Sequence, residues 1–252
     1  MKKKLLSALC LVLVAVLVSG CVIVDFTGPI NAGFRGGAGI RGVGSMEVFT
    51  FEVGEITELL VGMTVNVNHH STESDTITLE IHSNLMNYVT IEEVNGVLTV
   101  DSIRTIQPSA NLPVLTIGAP MLNHVVLSGA GSFTAVDPIV VEEFTLGLTG
   151  AFSGVAELDV KNLTVNFSGA GDLTLSGSAD HADIILTGAG SIRALDLQTR
   201  TADIRLAGMG SVRISCSEHL RVTGTGVGTV EYRGNPDLDI TRGGLVTVRN
   251  VN

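Results

Sequence analysis

The chain contains no tryptophan and only two tyrosines, Tyr88 and Tyr232. Aromatic platforms for stacking sugar rings or nucleobases are therefore nearly missing. Cysteine is scarce as well: Cys10 and Cys21 lie near the N-terminus, and Cys216 stands alone far downstream. With Cys21 assigned to an anchor, Cys216 has no partner. An internal disulfide is then excluded, and stability must come from packing and backbone pairing. Proline is also sparse, with six residues against thirty glycines. Beyond residue 20 no segment sustains apolar residues at helical spacing, which excludes a helical fold. What remains is Val, Ile, Leu and Thr between glycine-rich turns, the composition of strands.

The one long apolar run is N-terminal. MKKK supplies a positive start, LLSALCLVLVAVL an apolar stretch, and VSGC (Val18 to Cys21) a small-residue processing site. That order is the layout of a secretory signal, 1–20. The apolar run is short for a membrane span, which needs about 20 apolar residues. Ser19-Gly20 directly before the cysteine resembles a bacterial lipobox, so Cys21 is the expected lipidation site and the membrane the expected anchor. Residues 29–45, PINAGFRGGAGIRGVGS, have glycine at about every third position and no periodicity. With 21–28 they read as a flexible tether, 21–45. Val22 replaces the aspartate associated with inner-membrane retention, which favours the outer membrane or cell surface.

Removing the three N-terminal lysines from 15 basic residues leaves 12 against 25 acidic ones, a formal charge of −13. So acidic a chain repels nucleic acid and has no basic stripe to follow phosphates. Nucleic-acid binding is excluded.

The glycines are not scattered. LSGAGSF at 127–133, FSGAGDL at 167–173, LTGAGSI at 186–192 and LAGMGSV at 206–212 are variants of one stretch. Aligned on their first glycine they give Gly129, Gly150, Gly169, Gly188, Gly208 and Gly226, in steps of 21, 19, 19, 20 and 18 residues. Four positions earlier stand Val125, Leu146, Val165, Ile184, Ile204 and Val222; four later, Phe133, Gly154, Leu173, Ile192, Val212 and Val230. Columns an even number of residues apart are apolar, and the odd columns between them are mostly Ser, Thr and Asp. That is the period-2 signature of strands with one buried face.

A repeat of 19–20 residues cannot bury a core alone and must stack on its neighbours. The expected fold is all-β, a parallel β-solenoid with each coil hydrogen-bonded to the next at about 4.8 Å. A propeller blade needs around 40 residues, so the period excludes one. The glycines fall on the inward parity, so the wall is expected to bend there or to approach the opposite wall closely, leaving no room for a Cβ. They are Gly129 and Gly131, Gly150, Gly169 and Gly171, Gly188 and Gly190, Gly208 and Gly210, Gly226 and Gly228. Gly150 is followed by Phe152 in place of a second glycine, so a slightly irregular turn is expected in that coil.

Residues 46–124 lack the glycine signature but keep strand alternation in MEVFTFEV, MTVNVNHH, TITLEIHS, YVTIEEV, GVLTVDS and LPVLTIG. Asn95-Gly96 reads as a hairpin turn or a coil corner. These residues are expected to form irregular first coils that cap the solenoid, so that 46–252 is a single domain with 125–252 as its regular part.

SGAGSF, SGAGDL, TGAGSI, NGVLTV at 95–100 and the closing GVGTVEYRGNPDLDITRGGLVTV at 226–248 together resemble the head GIN domain family of autotransporter adhesins, a domain of unknown function. The resemblance spans the region from Met46 onward. It implies a right-handed parallel β-helix in exported, often lipid-anchored bacterial proteins, and it brings no catalytic residue with it.

Other chemistry finds little support. Gly37 to Gly42 matches G-x-G-x-x-G but follows no strand and opens no helix, so the dinucleotide fingerprint fails in context. His69 and His70 are adjacent, point to opposite faces of a strand and cannot chelate together. Asp180, His181 and Asp183 form a polar corner, and Cys216 lies on the inward parity. Arg193 and Arg213 share an outward column with Glu231, a surface charge ladder. The Ser and Thr columns flank a glycine bend, where hydroxyls satisfy turn amides. The expectation is a non-catalytic envelope lipoprotein, with no metal or cofactor, whose head is an adhesion, binding or structural module for a surface glycan or protein. The alternative is a carbohydrate-active β-helix that binds, lyses or hydrolyses polysaccharide.

Overall fold

From Gly129 onward each glycine-bearing stretch lies directly over the one before it. The computed structural model describes residues 39–107 and 111–252. In it Ala151, Ala170, Ala189, Met209, Val227 and Leu245 are successive register partners in one parallel ladder. The architecture is a right-handed parallel β-helix of about seven coils.

The strands are, in chain order, β1 (Met46–Glu52), β2 (Glu58–Val61), β3 (Val65–His70) and β4 (Thr76–His82), then the single helical turn α1 (Ser83–Met86). β5 (Val89–Val94), β6 (Val97–Ser102), β7 (Val114–Gly118) and β8 (His124–Ala135) follow. The long ones are β9 (Ile139–Phe167), β10 (Ala170–Leu186), β11 (Ala189–Leu206) and β12 (Met209–Gly224). β13 (Val227–Arg233), β14 (Asp237–Arg242) and β15 (Leu245–Asn250) complete the stack. A four-residue strand such as ELLV in β2 is too short to show alternation, which is why the sequence does not reveal it.

The apolar columns are the core. Val125, Leu146, Val165, Ile184, Ile204 and Val222 are at most 1% exposed, and Phe133, Leu173, Ile192, Val212 and Val230 are fully buried. Each such side chain contributes about 1.5–3 kcal/mol of burial.

Residues 46–124 form irregular levels and a cap, but not in chain order. β2 and β3 lie parallel beneath β8 and make one level. The level beneath that comes from later in the chain, with β6 on β2 and β7 on β3. Antiparallel strands close the stack: β5 on β6, β4 on β7, and β1 on β4. The cap is thus a fold-back out of chain order, which covers parallel edges that would otherwise remain open. Asn95 (φ 54°) and Gly96 (φ 83°) make the two-residue hairpin between β5 and β6, resolving the two options in favour of the hairpin.

Part of the segment assigned to the tether is docked. Ile40 exchanges backbone hydrogen bonds with Thr105 and Gln107, and Asn84 holds both Arg41 and Val43.

The glycine positions need a correction of partner. A Cβ on Gly150 would collide with the carbonyl of Gly129, and one on Gly188 with that of Gly169. The close approach is to the coil beneath, along the solenoid axis, and not to the opposite wall. Phe152 keeps its place in the ladder with β8, while the ladder with β10 skips it and resumes at Gly154. Phe152 lies over Gly131 with 1% exposure, while Gly154 lies over the buried Phe133. The large and small residues exchange places between adjacent levels, so the interior volume is preserved. A further copy escapes the sequence alignment: Gly244 sits over Gly226 and opens β15.

Candidate functional site

Where the coils turn between two of their walls, three neighbouring columns form a groove parallel to the solenoid axis. Its floor is Val160, Ala179, Thr199 and Cys216, consecutive register partners on β9 to β12 and at most 6% exposed. One wall carries Asp159, Ser178, Gln198, Ser215 and Arg233 in register. The other carries Glu142, Lys161, Asp180, Arg200 and Ser217, and Met121, Val140 and Val141 line the end nearest the cap. The volume is about 930 Å³, within the range of ligand clefts. Small or medium residues recur at the floor of four successive coils, and the period that built the core therefore also built the groove.

Most polar groups in the groove are already satisfied. Thr199 donates to the Ser215 carbonyl (2.7 Å), Ser215 to that of Leu195 (2.5 Å) and Ser217 to that of Thr199 (3.3 Å). The Ser178 hydroxyl donates to Asp159 (2.8 Å). The second wall alternates in sign. Lys161 pairs with Glu142, and Arg200 makes a two-pronged contact with Glu218 at 2.9 and 3.0 Å while lying 3.9 Å from Asp180. Lys161 and Arg200 hold Glu142 and Glu218 below the usual carboxylate range through these hydrogen bonds and their charge. Arg233 differs: one N–H reaches the Leu195 carbonyl at 3.4 Å, and no carboxylate pairs with it among the described residues.

The residues singled out in the sequence are distributed elsewhere, except Asp180 and Cys216. Cys216 is 2% exposed, lies in the groove floor, and donates to the carbonyls of Arg200 and His219. Burial pushes its thiol pKa up, so it is a poor nucleophile. His69 is buried, bonds Ala119 O through Nε2 at 2.8 Å and stacks on Phe133, while His70 points outward to Asp137. Asp180, His181 and Asp183 do not converge: they pair respectively with Arg200, Thr201 and Arg205. Arg193 pairs with Asp172 at 3.1 Å, and Glu231 is gripped by both Arg213 and Arg249. The sequence missed Arg249 because the final coil was not recognised as a repeat. Cys21 and the segment Gly37-Ala38 lie outside the described residues.

Among the described residues no group of three or more His, Cys, Asp or Glu could hold a metal ion. No helix among them is long and apolar enough to cross a membrane. The fold was legible through the period; the groove was not, because its residues carry no motif.

Solved structures share the fold. A putative adhesin from Bacteroides fragilis is 20% identical, with a TM-score of 0.78 over 84% of this chain and all of its own. A putative lipid binding protein from Parabacteroides distasonis is 19% identical, with a TM-score of 0.67 over 85% of this chain and all of its own. A putative adhesin from Parabacteroides merdae is 22% identical, with a TM-score of 0.60 over 84% of this chain and 99% of its own. No curated protein matches the chain. The family model described as "Putative auto-transporter adhesin, head GIN domain" matches residues 55–236, and the chain belongs to that family.

Proposed function

We propose that the protein is a cell-envelope lipoprotein, anchored through Cys21, whose β-helix head is a non-catalytic, adhesion-like binding module. The groove is the observation that carries this reading. It is continuous across the regular coils, and its walls and floor are held by internal hydrogen bonds and ion pairs. A surface so preorganised loses little entropy on binding an elongated ligand. The family's adhesin description supports an extracytoplasmic, surface-exposed, non-enzymatic role. A surface glycan or protein is the partner class, reached from a Gly-rich tether that raises the local concentration of the head.

The test is to incubate the purified full chain with a panel of envelope polysaccharides and follow both retention and release of product. Saturable retention with no product supports the reading, and sustained turnover overturns it. The anchor is tested by metabolic palmitate labelling: label in the wild type that vanishes in Cys21→Ala is expected. Absence of label in the wild type, with unchanged membrane fractionation of the variant, overturns it.

A further inference from the structure

We propose that the groove binds a single-chain fatty carboxylate, with its hydrocarbon along the Met121–Val160 half and its head group on Arg233. This rests on the reading of the groove as the binding surface and names the ligand chemistry.

The groove changes character along its length. At the cap end Met121 and Val140 are 51% and 62% exposed, large apolar groups left in water beside Val141 and the floor residue Val160. Val160 to Cys216 spans three inter-coil steps, about 14 Å. The apolar residues lie at and beyond one end of that span and Arg233 beyond the other. An extended acyl chain fits a slot of that length and covers the apolar end. Glu142 and Lys161 neutralise one another, whereas Asp180 and Glu218 share the one charge of Arg200 and Asp159 accepts only from Ser178, so the middle of the groove is net acidic and leaves an anionic head group the Arg233 end. The floor hydroxyl of Thr199, the wall hydroxyl of Ser217 and the Cys216 thiol are turned to backbone carbonyls.

At the other end two groups are left unused. Arg233 makes the single backbone contact already described, and Gln198, two levels away in the same column, makes no side-chain hydrogen bond among the described residues. A guanidinium fork matches a carboxylate in two parallel hydrogen bonds, and Gln198 adds an amide donor on the same wall. Charge therefore orients the ligand and the apolar end selects its tail.

Isothermal titration of the full chain with myristate, below its micelle concentration, tests this against tetradecanol and tetradecyltrimethylammonium. Saturable one-to-one binding of myristate is expected, with the alcohol and the cation at least tenfold weaker. Arg233→Gln and Val140→Asp, both at exposed positions, should each weaken myristate at least tenfold without moving the melting temperature. No saturable myristate binding overturns the proposal, as does equal affinity for the three head groups or an unchanged Arg233→Gln. Ser178→Trp, which fills the groove, separates the ligand's identity from the groove's role. If it abolishes retention on envelope preparations while myristate never binds the wild type, the fatty-carboxylate proposal is overturned and the groove reading stands. If it leaves retention intact, the groove reading is overturned as well.

Discussion

The carbonyl oxygen of Gly169 occupies the place that a Cβ on Gly188 would have to take. The obstacle is backbone, held by its own hydrogen bond from Ala189 N, and it cannot swing aside as a side chain would. Gly188→Ala should therefore force the coils apart locally and destabilise by about 1–3 kcal/mol. Gly147→Ala is the control, since a Cβ there meets nothing closer than a Val126 methyl at 3.5 Å. Thermal unfolding of both variants checks this: the midpoint of the first should fall by several degrees and that of the second should hardly move.

Glu231 is 6% exposed and gripped by Arg213 and Arg249 from adjacent coils. The Arg249 hydrogen bond first, and the charges of both arginines, hold its pKa below the usual carboxylate value. A carboxylate so depressed stabilises the fold above the unfolded-state value of about 4.3 and loses that contribution as pH falls through the folded value. Glu231→Gln should lower the melting temperature at pH 7 and leave a much smaller difference at pH 3. Equal differences at both pH values would contradict the account.

His69 has the opposite origin. Burial pushes its pKa down, partly offset by the Ala119 carbonyl, and its Nδ1 has no hydrogen-bond partner. The unfolded chain therefore takes up the proton first, and stability falls as pH drops below about 6.5. Comparing wild type with His69→Met between pH 8 and pH 5 should show a loss with acid that is steeper in the wild type. At pH 8 the variant should be the less stable of the two, because the Ala119 carbonyl loses its donor.

Cys216 is buried with a raised thiol pKa. An aromatic disulfide reagent should modify it slowly in the native protein and rapidly in denaturant. Fast native labelling would mean that the groove floor opens.

The regular coils were readable because stacking demands the same chemistry at the same position in every turn. Val165, Ile184, Ile204 and Val222 align in the sequence as they do in space. The cap was not readable, because β6 and β7 pair out of chain order and no local pattern records which edge a strand chooses. The glycines pointed to a close approach, but sequence parity could not distinguish the coil beneath from the opposite wall. The groove was hidden for a different reason. Ala179, Thr199 and Cys216 look like ordinary members of an inward column, and only the turn of the wall turns them into a floor.

The most direct test of the binding account uses the full chain carrying Cys21→Ala, so that the anchor plays no part, with and without Ser178→Trp. Retention on isolated cell envelopes is measured by sedimentation while soluble products are followed. The account predicts saturable retention of the Cys21→Ala protein, its loss when the groove is filled, and no product release. Retention that survives a filled groove, or steady release of product, would contradict it.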